Sequence, residues 1–283
     1  MSKNDSSLVL QALREDIGIQ DVTTNILVPT GRISKAYIVV KEPTVLCGLA
    51  ISKKVFQTLD KGIKFNSKFK DGDWVPKNTK VIYLKGRTRA ILTAERTALN
   101  FLSHLSGIAT KTRSFVRKTR PYKTIILDTR KTIPGLRSLQ KNAVRGGGGT
   151  NHRKNLGEMI LIKDNHRVLL GGKCDWPQVI AMIKKKTAGK KIEVEVNNLR
   201  QFKAVLKARP DIILLDNMKI TEVKKAVCLC KEIKGSKRPK LEASGGISFK
   251  NVGSYARTGV NMISLGELTH TSRAIDMSLE IEK

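Results

Sequence analysis

Cysteine, aromatic residues and long apolar runs are all scarce in this sequence. The four cysteines are scattered, and the closest pair, Cys228 and Cys230, lacks the two-residue spacer of a zinc knuckle or a thioredoxin-like site. We therefore expect reduced thiols rather than disulfides or a zinc centre. No apolar run approaches the ~20 residues that span a membrane, and the first residues have no apolar signal core. These absences predict a soluble, cytoplasmic protein without a membrane partner.

Acidic residues are also scarce relative to basic ones. The sequence has 24 Asp and Glu against 54 Lys and Arg, a formal charge of +30, which by itself favours binding to polyanions. The basic residues are, however, spread over both halves of the chain without a basic tail. The densest cluster, at 184–186 and 190–191, ends a predicted helix, where lysines complement the helix dipole. With aromatic residues at only 5%, stacking on unpaired bases is poorly supported, so we expect no specific nucleic-acid partner.

The first part of the chain predicts a small domain of helix and antiparallel sheet. Residues 8–16 have the apolar spacing of a short helix, and the alternating runs between 34 and 84, punctuated by Gly and Pro, predict a small antiparallel sheet. A longer helix is predicted from Ile91 to about Arg117, with leucines on one face, as the hinge to the next domain. On this helix we interpret His104 as a residue that packs against a neighbouring helix. For Arg96, a surface ion pair with Glu95 is as good an explanation as a functional role.

Beyond Pro121 the pattern changes to short apolar runs, each closed by a polar or glycine-rich cluster. Their starts lie roughly 20 to 35 residues apart, which is the spacing of β/α units with parallel strands. The runs are 125–127, 159–162, 192–196, 212–215, 241–243 and 262–265. No Gly-x-Gly-x-x-Gly fingerprint follows any of them, so we favour a β/α barrel, complete or incomplete, over an open doubly wound sheet.

The residues that close these runs are chemically polarised, and in either fold they would meet at one face. The basic residues among them are Arg130, Lys131, His152, Arg153 and Lys163. Such a set suits a small substrate with more than one carboxylate, because each arginine offers a planar fork to a carboxylate.

Acidic residues and glycines close the later runs. Glu195 and Asp216 form the acidic side, and Glu193 shares a pleat face with Glu195, which makes an inward position credible. The glycine-rich ends are Ser244, Gly245, Gly246 and Gly266. Carboxylates beside a glycine-rich loop are typical of a site for a magnesium-bound phosphate ester. For the Ser-Gly-Gly segment alone, an ordinary turn is an equally good interpretation.

Long motifs, in order along nearly the whole chain, resemble the quinolinate phosphoribosyltransferases. They are 13–18, 95–102 with 106–110, 128–132 with 134–137, 151–153, 161–166, 193–196, 214–218, 243–247 and 268–270. The resemblance implies an α/β protein with an N-terminal α/β sandwich domain at 1–110 and an incomplete, seven-stranded β/α barrel at 111–270. A C-terminal helix at about 271–283 is a candidate to pack on the first domain. It also implies a homodimer in which one chain's N-terminal domain closes the partner's barrel.

The resemblance further implies an enzyme of NAD biosynthesis, a pentosyltransferase that requires Mg²⁺. Its substrates would be quinolinate and phosphoribosyl pyrophosphate, and its products nicotinate mononucleotide, pyrophosphate and carbon dioxide. Transfer at the ribose carbon passes through an oxocarbenium-like state, which needs charge stabilisation rather than a nucleophile. This agrees with the lack of a convincing Cys-His or Ser-His arrangement in the sequence.

By the same resemblance, each motif carries a role. Those that would hold the quinolinate carboxylates are Arg130, His152, Arg153 and Lys163, with Arg96 contributed across the dimer interface. The catalytic set would be Lys131, Lys163, Glu195 and Asp216, the last two also holding magnesium directly or through water. The residues by the 5′-phosphate would be Ser244, Gly245, Gly246, Gly266 and His270. The glycines at 146–149 are then interpreted as a flexible lead-in to His152 and Arg153.

Some positions depart from the family pattern. They are Gly146, Thr150, Arg167, Asn197 and Glu267, of which Asn197 and Glu267 alter the charge near the phosphoester side. A related branch, the ModD proteins associated with molybdenum transport, shares the fold and several motifs. The second hypothesis is therefore a ModD-like paralogue that acts on another anionic substrate. A basic nucleic-acid-binding protein on the same fold is a distant third.

Overall fold

The structure is a computed structural model that describes residues 3–170, 174–187, 189–233 and 238–282. The chain forms two compact units, each built from separate segments. The first unit comprises Met1–Arg113, Ile133–Gly148 and Thr271–Lys283, and the second comprises Ser114–Thr132 and Gly149–His270. Helices and strands are numbered in chain order below.

The first part of the chain mixes helices with short strands. Its elements are α1 (Lys3–Ile17), α2 (Val22–Leu27), β1 (Ile33–Val40), β2 (Thr44–Val45), α3 (Leu49–Leu59), β3 (Lys64–Asn66), β4 (Trp74–Val75), β5 (Thr79–Arg87) and α4 (Thr88–Thr119). A single 3₁₀ turn, Arg120–Tyr122, follows α4.

From there strands and helices alternate. The elements are β6 (Ile125–Leu127), α5 (Arg137–Gly146), β7 (Ile160–Ile162), α6 (Asp164–Leu169), α7 (Trp176–Lys186), β8 (Ile192–Val196), α8 (Leu199–Ala208), β9 (Ile212–Asp216), α9 (Ile220–Lys231), β10 (Lys240–Ser244), α10 (Val252–Arg257), β11 (Met262–Ser264), α11 (Glu267–His270) and β12 (Met277–Ile281). No helix in the described part of the chain combines the length and apolar character that a membrane crossing requires.

The main sheet of the first unit is antiparallel, as its alternating sequence predicts. Its strand order is β12-β1-β5-β3, and β1 pairs with β5 through a register shift between Ile38 and Val39. The predicted C-terminal helix is wrong, because β12 occupies that segment and pairs with β1 from Val40↔Met277 to Ala36↔Ile281. Apolar residues at 277, 279 and 281 recur with period two, which suits a strand. Pairing with β12 also covers an edge of β1 that would otherwise present free backbone groups.

The predicted long helix is confirmed as α4, which extends the prediction by a few residues at each end. Ile91, Leu102 and Ile108 on its apolar face have no exposed area. His104 lies 2.9 Å from the Gln140 amide nitrogen through Nε2, and burial lowers the pKa of its imidazole. His104 is therefore a packing residue of the first unit, as its position on the helix predicts.

The glycine run after α5 is closely packed. A Cβ atom on Gly147 would lie 2.5 Å from the Ala109 carbonyl oxygen and 2.5 Å from the Thr112 Cβ of α4. The Arg113 guanidinium donates to the carbonyl oxygens of Gly147 and Gly146, at 2.9 and 3.2 Å. The prediction of a flexible lead-in is thus wrong for these glycines, which let the end of α5 lie against α4.

The second unit holds the six predicted strands in one parallel sheet, with the order β6-β11-β10-β9-β8-β7. All six predicted runs are confirmed as strands. Among the described residues, one further parallel bridge pairs Thr150 with Leu127 on the free side of β6, so the seventh strand that the resemblance implies amounts to one residue in this part of the chain. Val194, Ile213 and Ile263, on three of the strands, have no exposed area. Because all strands are parallel, their carboxyl ends lie at one edge, where the predicted site residues follow them.

Candidate active site

A cavity of about 550 Å³ opens at the carboxyl ends of the parallel strands. Every predicted site residue except Arg96 lines it. These residues are Arg130, Lys131, His152, Arg153, Lys163, Glu195, Asp216, Ser244, Gly245, Gly246, Gly266 and His270. Arg96 lies on α4 in the first unit, beside a separate depression that Glu42 and Arg273 also line.

Asp128 holds the basic side of the cavity in place through hydrogen bonds. It directly follows β6 and has no exposed area. Its carboxylate accepts hydrogen bonds from the Asn151 amide at 2.6 Å and from the His152 backbone N–H at 2.8 Å. Asp128 thereby ties the segment after β6 to the segment that carries His152. From the sequence alone, Asp128 stands out only as part of a motif. Its signal was an acidic residue directly after a buried strand.

Arg130 and Arg153, the two arginines on the basic side, lie close enough for their charges to interact, and Arg130 lacks a hydrogen-bond acceptor for its Nε atom among the described residues. The Nε atom of Arg130 is buried and has no hydrogen-bond partner among the described residues. Arg153 is 9% exposed and donates from Nη1 to the Met159 carbonyl oxygen at 3.2 Å. Burial, and then the positive charge of Arg130, lower the pKa of Arg153, while Glu193 opposes the shift. An anion between the two arginines would supply the missing acceptor and offset both charges.

Beside the arginines lies a buried cluster of His152, Glu193 and Glu242, of which the sequence predicts only a part. The Nε2 atom of His152 lies 2.9 Å from Glu193 Oε2 and 3.7 Å from Glu242 Oε1. Burial, followed by the negative charge of Glu193, raises the pKa of Glu242 to about 8. The prediction that Glu193 points inward is confirmed, since it has no exposed area. Glu242 was not assigned a role, because a three-residue run does not reveal which face a side chain occupies.

Glu195 and Asp216 line the cavity on its acidic side. Glu195 is half-buried, and burial followed by the charge of Asp216 raises its pKa. The Asp164 backbone N–H donates to Glu195 at 3.4 Å, and the Asn217 amide donates to Asp216 at 2.7 Å. The two carboxylates therefore repel each other at the ends of β8 and β9, which is the arrangement that a bound cation would relieve.

The glycine-rich ends leave room where a side chain would intrude. Gly245 has φ +82°, and a Cβ atom there would lie 2.3 Å from Asn217 Oδ1. At Gly266 a Cβ atom would lie 2.9 Å from Lys131 Cδ and 3.1 Å from the ring of His270. Glycine at these two positions lets the backbone and the side chains of Lys131 and His270 approach the same space, as a site for a phosphate group requires.

The cavity thus combines, at the carboxyl edge of a parallel β/α sheet, a cationic side, a carboxylate side and a glycine-lined end. Fold and site together define an α/β enzyme for anionic substrates. The chain belongs to the quinolinate phosphoribosyltransferase family: the model of the family's C-terminal domain matches residues 108–280, and that of its N-terminal domain matches residues 21–106.

Individual relatives agree along the whole chain. The chain is 41% identical to a probable nicotinate-nucleotide pyrophosphorylase (carboxylating) from Methanocaldococcus jannaschii, over 97% of this chain and 96% of the relative. It is 38% identical to the corresponding protein of Mycobacterium leprae, over 96% and 95%. Among solved structures, the nicotinate-nucleotide pyrophosphorylase from Francisella tularensis superposes with a TM-score of 0.90 at 39% identity, covering 100% of this chain and 98% of that one.

Proposed function

We propose that this protein transfers the phosphoribosyl group of phosphoribosyl pyrophosphate to the ring nitrogen of quinolinate, with loss of carbon dioxide. The products are nicotinate mononucleotide, pyrophosphate and carbon dioxide. One observation carries the proposal. The same cavity is lined by two arginines that lack an anionic partner, Arg130 and Arg153, by two neighbouring carboxylates, Glu195 and Asp216, and by several glycines. Each part fits a different portion of the two substrates.

The basic side suits the pyridine dicarboxylate. The unpartnered Arg130 Nε and the neighbouring Arg153 together offer forks for one or two carboxylates, and Lys163 adds an exposed cation at the rim. Nicotinate, which lacks the second carboxylate, would leave one of these cations unpaired. We therefore expect quinolinate to be strongly preferred to nicotinate.

The acidic side suits the ribose and a magnesium ion. Carboxylate oxygens are the donors that Mg²⁺ prefers, and burial together with the neighbouring charge of Asp216 raises the pKa of Glu195, which supports a cation between the two carboxylates. Glu195 and Asp216 would hold the ion directly or through water. Bound there, Mg²⁺ would neutralise charge on the departing pyrophosphate. Glu195 would also stabilise the positive charge that develops on the ribose as the bond to pyrophosphate lengthens.

The remaining residues hold the phosphate groups of the substrate in place. Gly245, Gly246 and Gly266 bring backbone close to the 5′-phosphate, with Ser244 and His270 beside it, and Lys131 lies by the pyrophosphate. Once the ring nitrogen is alkylated, the bond between the adjacent ring carbon and its carboxylate breaks, carbon dioxide leaves, and the positive ring nitrogen stabilises the electron pair that stays on that carbon. The carbon then takes one proton from water to give nicotinate mononucleotide, while the protein holds the ring in place.

A direct assay tests this function. Purified protein is mixed with quinolinate, phosphoribosyl pyrophosphate and MgCl₂, and nicotinate mononucleotide is followed by chromatography. We expect product with quinolinate, none with nicotinate, and loss of activity when EDTA is added and restored by excess Mg²⁺. Absence of product despite tight binding of phosphoribosyl pyrophosphate would reject quinolinate as the substrate and favour a paralogue with another anionic acceptor.

We infer further that the enzyme is a cytoplasmic homodimer in which Arg96 serves the partner's cavity. The free state of all four cysteines supports a reducing compartment, which fractionation of the host cell tests. The inference about Arg96 is tested with Arg96→Ala and Arg130→Ala, unfolded and refolded together and assayed at a quinolinate concentration too low for either variant alone to turn over. Mixed dimers would contain one intact site, restoring about a quarter of the wild-type activity. No recovery would show that Arg96 acts within its own chain, and full activity of Arg96→Ala by itself would show that Arg96 has no role in the reaction.

A further inference from the structure

The short helix α6 begins directly after Lys163, which is its N-cap and lines the active-site cavity. None of the six residues of α6, all of which the structure describes, is buried, and Val168 and Leu169 are 77% and 86% exposed. The preceding strand, β7, is the last in the order of the parallel sheet. Apolar packing therefore does little to fix the direction of α6, so a polar contact must hold it.

Arg167 makes two contacts that lead in opposite directions from α6. Its backbone N–H donates to the Lys163 carbonyl oxygen at 3.0 Å. Its side chain donates from Nη1 to the Oε1 atom of Gln201 on α8. The Nε atom of Arg167 is buried and has no hydrogen-bond partner among the described residues, so the guanidinium faces the protein rather than water. Arg167 thus connects a residue of the cavity with the neighbouring helix.

Gln201 is a firm attachment point, because the first turn of α8 holds it from two sides. Its backbone N–H donates at 2.9 Å to the side chain of Asn198, the N-cap of α8. Its Oε1 atom also accepts from the Asn197 backbone N–H at 3.0 Å, so both lone pairs of this oxygen are used. Asn197 directly follows β8, the strand that carries Glu195. Through Gln201, Arg167 therefore ties α6 to the end of that strand.

This connection is particular to the present chain. Arg167 and Asn197 are two of the positions that depart from the family pattern, and both donate to the same oxygen of Gln201. A further link between α6 and β8 is long, since the Asp164 backbone N–H lies 3.4 Å from Glu195. The shorter and better anchored connection is the one that runs through Arg167.

We propose that Arg167 is a positioning residue for Lys163. Its side chain holds α6 on α8, and its backbone holds Lys163 at the rim of the cavity, where the ammonium group meets a carboxylate of quinolinate. The described lining of that cavity contains Lys163 but not Arg167, which lines a neighbouring depression with Gln201 and Arg200. The inference rests on the proposed function for its kinetic tests, whereas hydrogen exchange tests it without any substrate.

Arg167→Met gives the first kinetic test, because it removes the donor and keeps much of the apolar stem. We expect the quinolinate KM to rise about 10-fold, since Lys163 loses its fixed position, while the KM for phosphoribosyl pyrophosphate changes less than about 3-fold. A general loss of stability would not separate the two constants in this way. Arg200→Met is the matched control, and should change either KM less than about 2-fold. An unchanged quinolinate KM in Arg167→Met, or an equal rise in the control, would overturn the proposal.

Substitutions at Gln201 test the attachment point. Gln201→Glu keeps an acceptor for both donors and should leave the quinolinate KM within about 3-fold of the wild-type value. Gln201→Leu removes the acceptor and should raise that KM about 10-fold. In the Gln201→Leu background, Arg167→Met should then add less than about 2-fold, because its contact is already lost. A further 10-fold rise would show that Arg167 does not act through Gln201.

A second cycle tests whether the effect reaches the substrate through Lys163. In a Lys163→Ala background, Arg167→Met should again add less than about 2-fold to the quinolinate KM, because there is no ammonium group left to position. Multiplied effects of the two substitutions would mean that Arg167 influences the substrate independently of Lys163, and would contradict the proposal.

Hydrogen exchange followed by mass spectrometry tests the structural part alone. Peptides that cover α6 should exchange about 10-fold faster in Arg167→Met than in the wild type or in Arg200→Met, while peptides from β8 and β9 keep their wild-type rates. Equal exchange of α6 in all three proteins would overturn the proposal even if the enzyme makes nicotinate mononucleotide. Faster exchange in Arg167→Met of a protein that makes none would support the positioning of Lys163 and reject the proposed function alone.

Discussion

Two mid-strand glutamates, one in each unit, show how differently the two sheets use a carboxylate. Glu280 on β12 accepts hydrogen bonds from the Tyr37 hydroxyl at 2.7 Å and the Lys41 ammonium at 3.0 Å, and such partners lower its pKa to about 2. Glu242 on β10 is buried beside Glu193, and burial followed by the negative charge of Glu193 raises its pKa to about 8. The first sheet places its charge where water and partners favour it. The second buries Glu242 beside the cavity in its neutral form, because burial disfavours the charged one, and such costly burial is typical of a sheet that carries a functional site.

The largest expected effect lies in the second unit, at Arg130. Arg130→Ala should raise the quinolinate KM by about 100-fold, roughly 3 kcal/mol, because it removes a charge-assisted contact from a site with few anions. Steady-state kinetics with each substrate varied in turn would measure it. Arg200→Ala is a matched control, since Arg200 is an exposed arginine on α8 outside this cavity. Kinetics equal to the control's would place Arg130 outside the site.

Stability of the first unit should depend on Gly147. Gly147→Ala would force a Cβ atom to within 2.5 Å of the Ala109 carbonyl oxygen, so we expect a loss of about 2–3 kcal/mol in the free energy of unfolding. Urea unfolding followed by circular dichroism measures this loss. Gly31→Ala serves as the control, because a Cβ atom there meets nothing within 4 Å. If both variants unfold at the same urea concentration, the close packing of α5 on α4 is wrong.

The pH dependence of stability should reveal Glu242. Its pKa is raised from 4.5 to about 8 in the folded protein, so the fold favours the neutral carboxyl. That stabilisation is present below the unfolded pKa and is lost as pH rises through the folded one. Glu242→Gln should therefore flatten the fall in melting temperature between about pH 5 and 8, with a relative gain at pH 8 on the order of 1–2 kcal/mol. Parallel curves for the two proteins would show that Glu242 does not titrate in this range.

The smallest effect is expected at Glu280. Its pKa is lowered from 4.5 to about 2, so its stabilising influence is present above the unfolded pKa and lost as pH falls through the folded one. Because Glu280 is solvated, Glu280→Gln should lower the melting temperature at pH 7 by no more than about 2 °C. The difference should shrink below about pH 4. A deficit as large at pH 2.5 as at pH 7 would mean that the charge is not responsible.

The parallel sheet could be predicted from the sequence because each of its strands is recognisable from a few adjacent residues. Each strand is a short apolar run closed by a polar cluster, and parallel geometry alone then gathers Arg130, Glu195 and Gly245 at one edge. The features that could not be predicted depend on residues far away in the sequence. β12 becomes a strand because β1 has a free edge some 240 residues earlier in the chain. Likewise, the contact between His152 Nε2 and Glu193 depends on the direction of the ring, which residue spacing does not encode.

The late position of β12 also constrains how the protein is made. During synthesis, β1 and β5 emerge before any strand of the parallel sheet, yet the four-stranded sheet is complete only after Met277–Ile281 has been translated. Until then β1 has an open edge on the ribosome, a template for unwanted pairing with another nascent chain. The second unit's strands, contiguous from β6 to β11, can assemble meanwhile. We therefore expect the last five-residue strand to act as the closing step of folding, and stalled or truncated chains to be the form of this protein that needs chaperones most.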